Sequence, residues 1–176
     1  NKRGFGYTHN GEVDLTSNFD HGPGFIYGDD ATITADNRRD LAAYLVALDT
    51  GLAPAVGYQL TFDGTNNADA TTLSRLDTLK AQAAVTNCDL VAHGRLAGQS
   101  RAWHYVGGDQ WKPDKAVQSN VTTSNLIALA DLGTEITVTG VPPGSGARMS
   151  LDRDRDTYLD GDERDAGSDP GNPAST

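Results

Sequence analysis

The sequence predicts an α+β fold, a mixed sheet carrying helices on one face. Three observations lead there. Some stretches repeat apolar residues with period 2, others repeat them along a helical stripe, and Trp103 and Tyr105 are followed by Gly107-Gly108 and Trp111, the pattern of a hairpin. From residue 56 the order reads strand, helix, three strands, helix, strand, which suits one sheet with two helices packed on it. Which strands are neighbours cannot be read from such a pattern.

Taken in order, residues 1–36 are rich in glycine and aromatic residues, as in Gly4-Phe5-Gly6-Tyr7 and Phe19-Asp20-His21-Gly22-Pro23-Gly24, and form an irregular segment. Asp36 can cap a helix in which Leu41, Tyr44, Leu45 and Leu48 form one stripe, ended by Gly51. After Ala53-Pro54, the residues Val56, Tyr58, Leu60 and Phe62 alternate with Gly57, Gln59 and Thr61, as in a half-buried strand. The turn from Asp63 to Asp69 has oxygens enough for a cation, or is ordinary turn chemistry in which Asp69 caps the next helix. That helix has the stripe Leu73, Leu76, Leu79 and Ala83 and should end near Asn87. Cys88, Leu90 and Ala92 then face inward on a strand, and the hairpin aromatics are expected to pack across strands rather than to bind sugar. Ser124 can cap a short helix with Leu126, Leu129 and Ala130, and Ile136 and Val138 mark the last strand. On this reading the chain divides into a loop-rich segment with one helix (1–55), an α+β core (56–150) and an acidic tail (151–176).

Composition narrows the class. The chain has 176 residues, 37% of them hydrophobic, enough for one core with appendages. No stretch approaches transmembrane length, so membrane insertion is not expected. The formal charge is −10, and residues 151–176 supply −5 of it, from eight acidic residues against three arginines. A cation, not nucleic acid, is the expected partner. Cys88 is the single cysteine, which excludes an intrachain disulfide and any multi-cysteine metal site. His9, His21, His93 and His104 lie in separate elements without ligand spacing, and no nucleophile-elbow, zincin or phosphate-loop motif occurs. The acidic pair Asp29-Asp30 after Gly28 reads as a loop.

The tail carries the most specific pattern. From Asp152 to Glu163 the carboxylates fall at the offsets by which a twelve-residue loop surrounds Ca²⁺ with oxygen: Asp152, Asp154, Asp156, the Tyr158 carbonyl, Asp160 and a bidentate Glu163. Leu159, at the eighth position, is apolar and can anchor the loop. The sixth position needs a positive φ and is Thr157, not glycine, at a cost of about 1–2 kcal/mol. Upstream, Val141-Pro142-Pro143-Gly144-Ser145-Gly146 argues against an entering helix, and downstream Glu163 to Ala166 can make one turn before Gly167. The site expected is therefore structural rather than a helix pair that opens on binding.

Residues 151–172, with Gly167-Ser168-Asp169-Pro170, resemble an EF-hand loop and more nearly the thrombospondin type 3 calcium repeats. That resemblance implies a bound Ca²⁺ and extracellular use, since such isolated loops bind at roughly 10⁻⁴–10⁻³ M. A second resemblance covers residues 5–49. The run Tyr7-Thr8-His9-Asn10-Gly11 and the helix Arg38-Arg39-Asp40-Leu41-Ala42-Ala43-Tyr44-Leu45 are similar to the closing part of di-haem cytochrome c peroxidase-like domains. Without a Cys-x-x-Cys-His this chain cannot attach a c-type haem, so the resemblance implies a haem-less remnant or the end of a longer precursor.

Together these readings imply a calcium-stabilised, non-enzymatic extracellular domain, at the cell surface or in the periplasm, that serves a structural or assembly role with protein partners or further copies of itself. The opening Asn1-Lys2-Arg3-Gly4-Phe5 carries no signal peptide, so export implies a mature or truncated product. Two alternatives stand beside it: an accessory domain of a peroxidase-like redox protein, and an enzyme supported by structural calcium. Asn120-Val121-Thr122 is a glycosylation sequon.

Overall fold

The computed structural model describes residues 51–175 together with Asp36, Asn37 and Asp40. Those three are helical; the stripe from Leu41 to Leu48, the histidines His9 and His21, Asp29-Asp30 and the rest of the 5–49 resemblance lie outside the described residues. Residues 1–54 and 55–176 are separate compact units, and the second contains both the sheet and the acidic tail.

That second unit is α+β. Its strands are β1 (Gln59–Phe62), β2 (Asp89–Leu96), β3 (Gln99–Tyr105), β4 (Gln110–Pro113), β5 (Val121–Thr122) and β6 (Ile136–Val141). Its helices are α1 (Ala70–Ala84), α2 (Thr123–Ile127), α3 (Gly146–Ser150) and α4 (Asp160–Ala166). The strands form one sheet in the order β1-β6-β2-β3-β4-β5. Every pairing is antiparallel, where a mixed sheet was expected. The reason lies in the connections: β2 to β4 are joined by tight turns, and β6 returns between β1 and β2 running against both.

One face of the sheet holds the core. Leu60 and Phe62 of β1, Leu90 and Ala92 of β2, Trp103 of β3, Trp111 of β4 and Ile136 and Val138 of β6 are buried there with Leu76 and Leu79 of α1 and Leu126 of α2. Burying a side chain of this size contributes about 1.5–3 kcal/mol. Asp69 caps α1 as expected, accepting from the Thr72 N–H at 2.7 Å. The cap of α2 is Thr122, not Ser124: Thr122 keeps extended backbone angles and accepts from Asn125 N, while Ser124 is already inside the helix. Tyr105 packs on Trp111 with ring centroids 5.0 Å apart, and both tryptophans are buried. The hairpin aromatics thus form packing pairs, not an exposed platform.

Helices on one face were expected; the structure has them on both. Val91, Ala102 and Val141 point away from the core by strand alternation and are nevertheless buried, as is Leu151. They are covered by α3, whose Met149 carbonyl lies 3.0 Å from His93 Nε2 and whose Gly146 N–H donates to Asp89 at 2.8 Å. The short helix α3 also corrects the expectation of a loop without an entering helix. Pro142-Pro143-Gly144 do end β6 sharply, but the five residues after Ser145 are long enough for one turn and a half, and the sheet supplies the surface on which that turn packs.

The packing of α3 predicts an acid response. Gly146 sits against the His104 ring so closely that a Cβ there would lie 2.3 Å from Nε2. Burial lowers the His104 pKa, opposed by Asp89 and helped by Lys112. A folded pKa below the ordinary value of about 6.5 means that this stability is complete above that pH and declines as pH falls below it. His104→Gln is expected to flatten the loss of urea midpoint as pH falls below about 6.5. An unchanged slope would show that the ring is not its source.

Candidate metal centre

The acidic loop runs from the end of α3 into α4, and its two ends are tied together before any side chain is considered. Asp160 N donates to Leu151 O at 2.7 Å, and Leu159 O accepts from Asp162 N and Glu163 N to begin α4. Gly167, with φ +80°, ends that helix, and Ser168 N returns to Glu163 O at 2.9 Å.

Within the loop the aspartates hold the next turn, Asp152 with both carboxylate oxygens and Asp154 and Asp156 with one each. Asp152 accepts from Arg155 N at 2.6 Å and from Thr157 N at 3.1 Å, Asp154 from Asp156 N at 3.3 Å, and Asp156 from Tyr158 N at 2.8 Å. Thr157 takes φ +82°, the conformation expected of the sixth loop position despite its side chain. Arg155 is also in the left-handed region, at +66°. The result is that Asp152, Asp154 and Asp156 each present a carboxylate oxygen within 4.8 Å of one another.

Among the described residues, four buried carboxylate oxygens have no hydrogen-bond partner: Asp154 Oδ2, Asp156 Oδ2, and both Oε1 and Oε2 of Glu163. Glu163 is 3% exposed. Burial raises its pKa, and so do the neighbouring charges of Asp154, Asp156, Asp160 and Asp152. Asp154 is raised for the same two kinds of reason. A buried, unpaired carboxylate surrounded by other carboxylates is strongly disfavoured unless something positive joins it. The set fits a hard divalent cation, which takes six to eight oxygens and prefers carboxylate and carbonyl donors.

Asp160 is placed differently from its neighbours. Its Oδ1 accepts from Arg153 N at 2.9 Å, and its Oδ2 from Arg153 Nε at 2.8 Å and Arg164 Nη2 at 3.2 Å. Its charge is thus committed to two arginines. Tyr158, whose carbonyl is the expected ligand at the seventh position, is 55% exposed. Leu159 is half-buried.

A group the spacing could not reveal fixes the loop to the sheet. Asp114, just after β4, is fully buried and accepts from Arg101 Nε at 2.8 Å, Ala102 N at 3.1 Å and Arg164 Nη1 at 3.0 Å. Its backbone carbonyl accepts from Gly161 N at 2.9 Å. A Cβ on residue 161 would lie 2.5 Å from that carbonyl, so only glycine permits the approach. Asp162 and Asp165 add contacts to Ala116 N and Lys115 Nζ. The only sequence signal for Asp114 was an acid following the Pro113 that ends a strand.

The alternative cation turn uses its oxygens internally. Asp63 Oδ1 accepts from Thr65 N, Thr65 Oγ1 and Asn66 N, and Asn67 donates to the Ile127 and Ala130 carbonyls. His93 and His104 contribute nothing to the acidic loop. Comparison with known proteins adds no relative: no protein family, no curated protein and no solved structure matches the chain.

Proposed function

We propose that this chain is a calcium-stabilised, non-enzymatic structural domain that works outside the cytoplasm, where calcium is abundant, as part of a surface or extracellular assembly. The ion is Ca²⁺, held by Asp152, Asp154, Asp156, the Tyr158 carbonyl and both oxygens of Glu163. Asp160, at the ninth position, chiefly neutralises Arg153 and Arg164. The observation that carries the reading is the set of four buried carboxylate oxygens without a partner, two of them on Glu163 at the far end of the loop from the aspartates. An acidic surface run would leave its oxygens in water. Ca²⁺ fits this donor set better than Mg²⁺, which demands near-octahedral geometry and keeps several of its waters. Among the described residues no helix is long and apolar enough to cross a membrane.

Calorimetry should find one calcium site with Kd on the order of 10⁻⁴–10⁻³ M. Terbium should bind in the same place and gain luminescence from Tyr158. Glu163→Gln is expected to weaken both. The absence of heat and of luminescence at millimolar metal would end the proposal.

A further inference from the structure

Five charged side chains form an unbroken series from the sheet to the loop. Arg101 meets Asp114, Asp114 meets Arg164, Arg164 meets Asp160, and Asp160 meets Arg153. The first three links are well shielded, since Asp114 has no exposed side chain, Asp160 5% and Arg101 9%. The series joins the two halves of the loop. Arg153 lies between Asp152 and Asp154, whereas Arg164 directly follows Glu163. Arg164 also donates to the Ser100 carbonyl of β3 at 3.2 Å, so it is held from the sheet side by two acceptors.

We propose that Arg164 and Asp114 are positioning residues of the ion site: the sheet, acting through Asp114, Arg164, Asp160 and Arg153, brings the three aspartates and Glu163 to ion-binding distance before the ion arrives. This rests on the calcium reading above. Without such a tie, gathering these carboxylates would be opposed by their mutual repulsion, and the cost would be subtracted from the affinity. With it, the gathering is stabilised within the fold. The series also explains why Asp160 is turned to the arginines. A carboxylate used as the middle of the tie cannot at the same time give its full charge to the ion.

The test separates position from charge because the two have opposite signs. Arg164→Gln removes a positive charge from beside a cation site, and electrostatics alone would make calcium bind more tightly. If Arg164 positions the ligands, binding instead weakens, by about tenfold or more, in the range typical of groups that orient metal ligands. Calorimetry with Ca²⁺ measures the affinity. Europium luminescence decay in H₂O and D₂O counts the waters on the ion, and Arg164→Gln should add at least one as Glu163 loses its bidentate hold. The Arg101–Asp114 pair stays intact in this variant, and Arg164→Lys, which can reach one acceptor but not three, should fall between the two. Binding by Arg164→Gln that is equal or tighter, with the same water count, overturns the proposal while leaving the calcium site standing. Failure of the unaltered chain to bind any of these ions overturns both.

Discussion

Removing calcium from the intact protein is expected to open the bonds after Arg153 and Arg155 to an arginine-specific protease while the sheet keeps its far-ultraviolet signal. Residues 152–163 carry six carboxylates against two arginines, a net −4. Buried oxygens of Asp154, Asp156 and Glu163 have no hydrogen-bond partner, and the charges around Glu163 and Asp154 repel theirs. Re-solvating them by opening the loop relieves that repulsion, and both arginines already lie on the surface. On the proposed calcium reading, an ion that binds only the ordered form would reverse the balance. At 100 times Kd the gain is about 2.7 kcal/mol, a hundredfold reduction in the open fraction. Cleavage rates with chelator and with millimolar calcium measure this directly. Equal rates would mean that the ion does not suppress opening of the loop.

The second large effect concerns the sheet itself. Asp114→Ala is expected to destabilise residues 55–176 by about 3–5 kcal/mol, because it leaves Arg101 buried beside a vacated partner and strips Arg164 of one acceptor. Urea or thermal unfolding in excess calcium reads the change without confusing it with loss of the ion. Replacing Arg101 by Met in the same variant removes the stranded charge, and a substantial part of the lost stability should return. Double-variant stability no better than that of Asp114→Ala would show that the loss came from packing and not from an uncompensated arginine.

How much of this was legible beforehand depended on whether the signal was local. Period-2 and helical stripes found β1, α1, β2, the aromatic hairpin, α2 and β6, because each buries one face against the same core. The strand at residue 56 begins only at Gln59, since Gly57 takes φ +86° and Tyr58 N turns back to Ala55 O. Val91 read as outward-facing because alternation knows only one covered face, and α3 covers the other. That helix was hidden by the prolines ahead of it. The loop spacing singled out Asp152, Asp154 and Asp156, whose carboxylates the fold brings within 4.8 Å of one another, and Glu163, whose buried carboxylate feels their charge. It could not foresee that Asp160 would meet Arg164, four residues on, or that Arg164 would reach Asp114, fifty residues back. Ion pairs of that kind are written in three dimensions and leave no period in the sequence.

The place of β6 has a consequence for time as well as for shape. Among the described residues it is the only neighbour of β1 and the second neighbour of β2, so the strand that opens the unit has no partner there until residues 136–141 are available. The hairpins of β2, β3 and β4 close over short loops and can assemble in microseconds. The Phe62–Ile136 pairing must close a loop of 74 residues, the costly and slow class of contact. In a chain threaded from its N-terminus, then, β1 waits longest, and the sheet is completed by joining its first strand to its last.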